Sequence, residues 1–409
     1  MSLIRVHPRS SAAILLFLFC GLVLLLTNDI ASAGALRTLR SAHYNVHTDI
    51  EQSLAEEMGR RLDAMYDEYA RRLDQFRISN PDQKFEVYLF AKRDDYMRLT
   101  QNRFPNTAGI FMPGRNLLAA FLEGQGRDGL RRTLQHEAFH QFVFTAISPD
   151  MPIWLNEGMA QYFEEGVWTG NSFMIGQVSP RRVRQLQHDM TNKQIVPFRT
   201  MLTMTDEQWA TNLTGSAERG ATQYNQVWAM VHFLVHGANG SDKYRPRLIN
   251  MLKLIHEGKP STDAFVEAFS RNVDGFQARF EEWAGKLAAT PEATMIERQD
   301  VLADLLAESS RRGQTYGDVR SFREEVIASN ARIRYTKGQI KWETSPDARV
   351  YFSDLENRVF DNSELYFENR NTAPLPDIVL RAGKLRLRTR FYSTEGRTEH
   401  EVLCEPPSR

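Results

Sequence analysis

At 409 residues the chain exceeds what one ordinary hydrophobic core organises, so two domains, or one large domain with an appendage, are expected. A hydrophobic fraction of 42% beside 25% charged residues excludes a disordered or fibrous chain. Fifty-one basic residues balance fifty-one acidic ones, so no net field recommends nucleic acid or an anionic membrane as the main partner, and only local patches are left to attract either.

The N-terminus carries Arg5 and Arg9, then fifteen apolar residues over 12–26, then the small triplet Ala31-Ser32-Ala33 before Gly34. That order predicts a secretory signal peptide over 1–33, cut after Ala33, and hence a periplasmic or secreted protein. The alternative is an uncleaved membrane anchor, against which stands an apolar run shorter than the ~20 residues a spanning helix needs. Cys20 leaves with the leader, so Cys404 stands alone and the exported chain has no internal disulfide.

Thr48 with Glu51 three residues later predicts a capping box. Behind it Leu54, Met58, Leu62, Met65, Tyr69, Leu73 and Phe76 recur at helical spacing and predict a long amphipathic helix. Phe85, Val87 and Leu89 alternate as in a strand; 109–112 and 117–121 predict two more, with Pro113-Gly114 as the turn between them. From Leu130 the pattern turns helical, through 224–236, 244–255 and 262–287, the last with a break near Gly275 and a buried face of Phe265, Phe269, Phe276, Phe280 and Trp283. Residues 288–332 predict a charged helical connector. From 333 to 409 candidate strands at 349–352, 364–368, 378–381, 384–392 and 400–403 predict a separate β-rich module. A strand layer followed by helices predicts an α+β fold for 34–287.

The chemistry sits in His136-Glu137-Ala138-Phe139-His140, where Leu130, Leu134, Ala138 and Phe142 show helical spacing. Histidines four apart on a helix present both imidazoles on one face, about one turn apart, close enough to hold one small cation. Imidazoles suit zinc, and a catalytic zinc site takes three protein ligands with one position open. A second helix opening at Pro152 carries Trp154-Leu155-Asn156-Glu157-Gly158, and Glu157 is the expected third ligand. Zinc makes water acidic enough to ionise near neutral pH and polarises a carbonyl. Glu137, beside a ligand and not needed as one, is the expected proton acceptor.

His136-Glu137-x-x-His140 followed by Trp154-Leu155-Asn156-Glu157-Gly158-Met159-Ala160 resembles the gluzincin clan of zinc metallopeptidases, and the likeness extends more weakly over 44–287. The resemblance implies a thermolysin-like peptidase domain, one zinc ion per chain and peptide-bond hydrolysis by His136, Glu137, His140 and Glu157. It also implies an edge strand near 117–121, and for Tyr224, taken as the first residue of its helix, the oxyanion-stabilising role of the clan's tyrosine; packing against the core is the other reading of that residue. The Gly-x-Met-Glu-Asn strand that holds a free α-amino group in aminopeptidases of this clan is replaced by Asn116-Leu117-Leu118-Ala119-Ala120, so cleavage of internal bonds is expected over aminopeptidase action. The stretch from His140 to Glu157 is also shorter than in the best-known members.

Asn156, Gln161 and Glu164 are read as surface or capping residues first and as groups orienting the ligands second. His232 and His236 repeat the four-residue spacing without an acid between them, so packing is expected there and not a second metal. In the C-terminal module Lys384, Arg386, Arg388 and Arg390 would line one strand face, solvated or paired with acids such as Glu399 and Glu401, or else binding an anionic polymer or lipid head groups. The expected partner is a peptide or protein substrate, with the cell envelope as a second surface. The alternative function is a non-catalytic zinc-containing protein that binds peptides or the envelope.

Overall fold

A computed structural model describes residues 4–5, 36–76, 78, 82–237, 244–337 and 340–405. The apolar run 12–26 and the expected cut after Ala33 lie outside these residues. No helix among them is long and apolar enough to cross a membrane.

The two-residue strand β1 (Ile4–Arg5) lies beside a strand of the C-terminal part. The main sheet is built from β2 (Arg37–Arg40), β3 (Tyr44–Thr48), β4 (Phe85–Phe90), β5 (Gly109–Met112) and β6 (Leu117–Phe121) in the order β2-β3-β4-β6-β5. β3, β4 and β6 run parallel, and the two outer strands are antiparallel to their neighbours. Helix α1 (Gln52–Arg72) crosses from β3 to β4, and α2 (Arg93–Leu99) follows β4. Alternation along β6 serves both faces: Leu118 and Ala120 enter the main core, whereas Leu117, Ala119 and Phe121 pack with Tyr96 and Met97 on the other side. A strand buried on both faces is interior, so 117–121 is not the edge strand; β5 is. The expected capping box also fails. Thr48 spends its hydroxyl on the Leu89 carbonyl at 2.7 Å, and Glu51 caps α1 instead, accepting from the Ser53 N–H at 2.9 Å.

After the sheet come α3 (Gly126–Ala146), α4 (Ile153–Glu164), the small hairpin β7 (Val167–Trp168) and β8 (Phe173–Met174), and then α5 (Pro180–Thr191), α6 (Phe198–Leu202), α7 (Asp206–Gly215) and α8 (Ala217–His236). Next are α9 (Arg245–His256), α10 (Ser261–Ala268) and α11 (Val273–Lys286). The break within 262–287 falls before Gly275: Asn272 caps α11 by accepting the Gly275 N–H at 2.9 Å.

The remainder comprises α12 (Pro291–Arg311), α13 (Val319–Ser329), the pair β9 (Ile333–Lys337) and β10 (Ile340–Glu343), and an antiparallel meander of β11 (Leu365–Glu368), β12 (Asp377–Ala382), β13 (Leu385–Thr394) and β14 (Arg397–Cys404). Leu302, Leu305, Phe322 and Val326 share one apolar cluster with Leu365, Leu380, Leu387 and Phe391. The segment expected as a connector thus supplies the helical layer over the meander. The expected strand at 349–352 is a turn of 3-10 helix, Ala348–Phe352.

Candidate metal centre

Helix α3 turns Leu130, Leu134, Ala138 and Phe142 into the main core, while His136 and His140 look toward α4. Pro152, at φ −62°, starts α4. One turn on, Gly158 lies against α8 so closely that a Cβ there would meet the Val227 carbonyl oxygen at 2.6 Å. The glycine beside Glu157 is therefore what lets α8 pack onto α4.

His136, His140 and Glu157 converge, with one ligand atom from each within 4.8 Å of the others. Nε2 of His136 lies 3.3 Å from Oε2 of Glu157, and Nε2 of His140 lies 3.6 Å from its Oε1. Donors ~2.1 Å from one tetrahedral ion stand ~3.4 Å apart, so these spacings fit a common zinc-sized cation. The group is buried, and among the described residues no hydrogen-bond partner exists for His136 Nε2 or for either Glu157 oxygen. Buried groups of this kind cost too much to leave unpaired, and a cation at their focus would satisfy all of them.

The outward nitrogens are held. His136 Nδ1 faces Glu164 Oε2 at 3.2 Å and His140 Nδ1 faces Asn156 Oδ1 at 2.9 Å, which directs each Nε2 lone pair inward. Glu164 and Gln161 are buried, and Gln161 donates to Glu164 at 2.6 Å. The surface or capping reading is thus corrected for Gln161 and Glu164, which are buried, while Asn156 is half-buried; Asn156 and Glu164 lie against the two imidazoles and Gln161 against Glu164.

Burial pulls His140 down to about 4, the neutral state a ligand requires. Burial acts the same way on His136, but the carboxylates of Glu157 and Glu164 beside its two nitrogens outweigh it and raise that imidazole well above its ordinary value. The Glu157 carboxylate thus asks for positive charge where a metal would sit, and Glu164 asks for it on the outward side of the same ring. Burial pushes Glu137 up to about 7. Its Oε2 accepts the Phe111 N–H of β5 at 2.9 Å, while its buried Oε1 has no hydrogen-bond partner.

Helix α8 begins at Ala217, capped by Ser216, so Tyr224 lies two turns inside it and does not open it. Its half-buried ring stands 6.4 Å from that of His136 and 5.4 Å edge-on to Trp209. His232 and His236 are elsewhere, facing the Gly176 carbonyl at 3.3 Å and the Tyr162 hydroxyl at 2.9 Å. Among the described residues His136, His140 and Glu157 form the one cluster suited to a metal. Arg388 of the cationic stripe pairs with Glu368 at 2.9 Å and Asp377 at 3.3 Å. Glu399 and Glu401 do not answer that stripe; they reach the helices packed on the five-stranded sheet, where Glu401 pairs with Arg61 at 2.8 Å and Arg131 at 3.0 Å. Sequence reasoning passed over α5 and α7, which bring Arg182 and Trp209 to the site; only the amphipathic spacing of 180–191 signalled the first.

A family described as a protein of unknown function (DUF1570) matches residues 131–260, the stretch that holds His136, Glu137, His140, Glu157 and Tyr224. No curated protein matches the chain.

Proposed function

We propose that this chain is an exported zinc-dependent peptidase of gluzincin type that cleaves internal peptide bonds, with His136, His140 and Glu157 as ligands and Glu137 as the general base. The observation that carries the reading is the buried ligand trio at tetrahedral spacings, with both imidazoles oriented from behind and a glutamate beside them that is not needed as a ligand. Zinc, when bound, supplies Lewis acidity toward water and toward the substrate carbonyl.

Glu137 takes the proton of the attacking water on Oε1 and returns it to the leaving amine, while the Phe111 N–H fixes the carboxylate through Oε2. A group pushed to about 7 exchanges protons readily in both directions near neutral pH. The Tyr224 hydroxyl donates to the oxyanion that develops at the carbonyl. Phe121 N–H bonds the Ala108 carbonyl, so by the period of two Gly109 turns its N–H and carbonyl, and Phe111 its carbonyl, to the open side of β5, where an extended substrate can pair, the Phe111 N–H being taken by Glu137. Gly109-Ile110-Phe111-Met112 offers no carboxylate for a free α-amino group, which favours internal bonds. Export rests on the leader alone.

Metal analysis of the chain, wild type beside His140→Ala, coupled to cleavage of a quenched fluorescent peptide library, tests the reading. About one zinc per chain and chelator-sensitive cleavage, both lost in the variant, are expected. Zinc without cleavage would replace the peptidase with a zinc-containing binding protein, and absence of metal would end the assignment.

A further inference from the structure

Behind Glu164 a chain of side chains continues away from the metal centre. Gln161 gives its amide N–H to Glu164, and its carbonyl oxygen accepts from Arg182 Nη2 at 2.6 Å. Arg182 comes from α5, is buried, pairs with Glu165 at 2.9 Å and lies over the Trp228 ring at 5.3 Å. Its Nη1 donates to Asn225 Oδ1 at 3.3 Å, and the Asn225 amide donates back to the Arg182 carbonyl at 3.3 Å. Asn225 adjoins Tyr224. One guanidinium thus holds the two structures that flank the metal centre: the Gln161–Glu164–His136 chain and the segment of α8 that carries Tyr224.

Direction matters in this chain. A glutamine side chain presents a donor and an acceptor of nearly equal shape, and either could face Glu164. Arg182 is a donor only, so it holds the Gln161 oxygen toward itself and the amide N–H toward Glu164. Glu164 then remains an acceptor for His136 Nδ1–H, which keeps the lone pair of His136 on Nε2, toward Glu157.

We infer that Arg182 is a positioning residue of the metal centre, acting through Gln161 and Glu164 to set the orientation of His136; the inference rests on the metal-centre reading above. Its planar fork makes three directed contacts here, which lysine, a single point charge, does not reproduce. The side chain also borders a cavity of about 500 Å³ walled on the far side by Asp300, Tyr335 and Trp342, so a small cation can reach the place of a deleted guanidinium.

The test is zinc affinity of the full chain, measured by competition with a chromophoric chelator. Arg182→Ala is expected to bind zinc roughly 10- to 100-fold more weakly, the usual cost of losing a partner of the ligands. Arg182→Lys should remain impaired, and guanidinium at tens of millimolar, but not potassium at equal ionic strength, should restore much of the affinity of Arg182→Ala. Gln161→Met should show a similar loss without rescue, and the double variant should be no weaker than either single one. Wild-type affinity in Arg182→Ala, or a loss in it that guanidinium does not reverse while Gln161→Met binds normally, would overturn the relay and leave a packing role against Trp228. Should Arg182→Ala not fold, Gln161→Met decides, since normal zinc binding there overturns the relay. No zinc in the wild type would overturn the metal centre and the relay with it.

Discussion

Single side chains divide the labour of the site by what surrounds them. Glu137 and Glu157 are both fully buried acids, yet Glu157 turns both oxygens to the imidazoles while Glu137 gives one to the Phe111 N–H and leaves the other without a hydrogen-bond partner among the described residues. Glu137→Gln is expected to retain zinc and to lower kcat by roughly 10²- to 10⁴-fold, as seen by metal analysis beside steady-state kinetics. Burial sets Glu137 near 7 and a bound cation draws it back toward its ordinary 4.5, so kcat/KM should fall on the acid side within that interval. His232 makes a separate prediction about stability. Burial, aided by His236, holds its pKa down to about 3 from 6.5, so it stays neutral in the fold while the unfolded chain takes a proton. Stability from this group is complete above about pH 6.5 and is lost as pH falls toward 3. Urea unfolding at pH 7 and pH 4 should show a smaller acid loss in His232→Gln than in the wild type.

Elements meet here through a few close approaches. The motif helix α3 has no cap of its own: Gln125 forms no side-chain capping bond, and the Arg127 N–H is taken by Glu399 of β14 at 2.8 Å. Gly126 makes room for that carboxylate; it sits at φ +70°, and a Cβ would lie 1.8 Å from the Glu399 carboxylate. Gly126→Ala is therefore expected to cost about 2 kcal/mol, from left-handed strain and the displaced carboxylate together. Adding Glu399→Ala should raise that cost by less than the effect of Glu399→Ala alone, because the clash is then gone while the strain persists. Chemical denaturation of the three variants measures both terms.

Across the whole molecule, the C-terminal part is joined to the part that holds the candidate metal centre and is not tethered beside it. Arg61 and Arg131 are buried guanidiniums shared by Glu57 and Glu401, and Tyr392 lies under Arg127 and Arg131 at 4.5 and 5.4 Å. Leu403 belongs to the main core. Glu401→Gln leaves two buried cations with one carboxylate and should destabilise the chain by about 3 kcal/mol. The loss falls at the junction, so calorimetry should show the wild type unfolding in one transition and the variant in two.

The amino-acid sequence by itself determined that His136, Glu137 and His140 share one turn of helix, because four-residue spacing is local geometry: His136 and His140 share a face wherever α3 is placed. It determined the long first helix, whose spacing ran on to Phe76 where the structure ends it at Arg72, and the α+β order of elements for the same reason. Only tertiary structure decided which strand is the edge, since β6 and β5 are both apolar and pairing order is not written in periodicity. Nor could a polar residue such as Glu164, Gln161 or Arg182 be told from a surface residue before the packing of α3, α4, α5 and α8 buried it; His136 lies 28 residues from Glu164, Arg182 21 from Gln161 and Asn225 43 from Arg182. The grip of Glu399 and Glu401 on α3 depends on contacts across more than 200 residues, and the role of 288–332 on packing against strands that come later in the chain, neither of which a local pattern records.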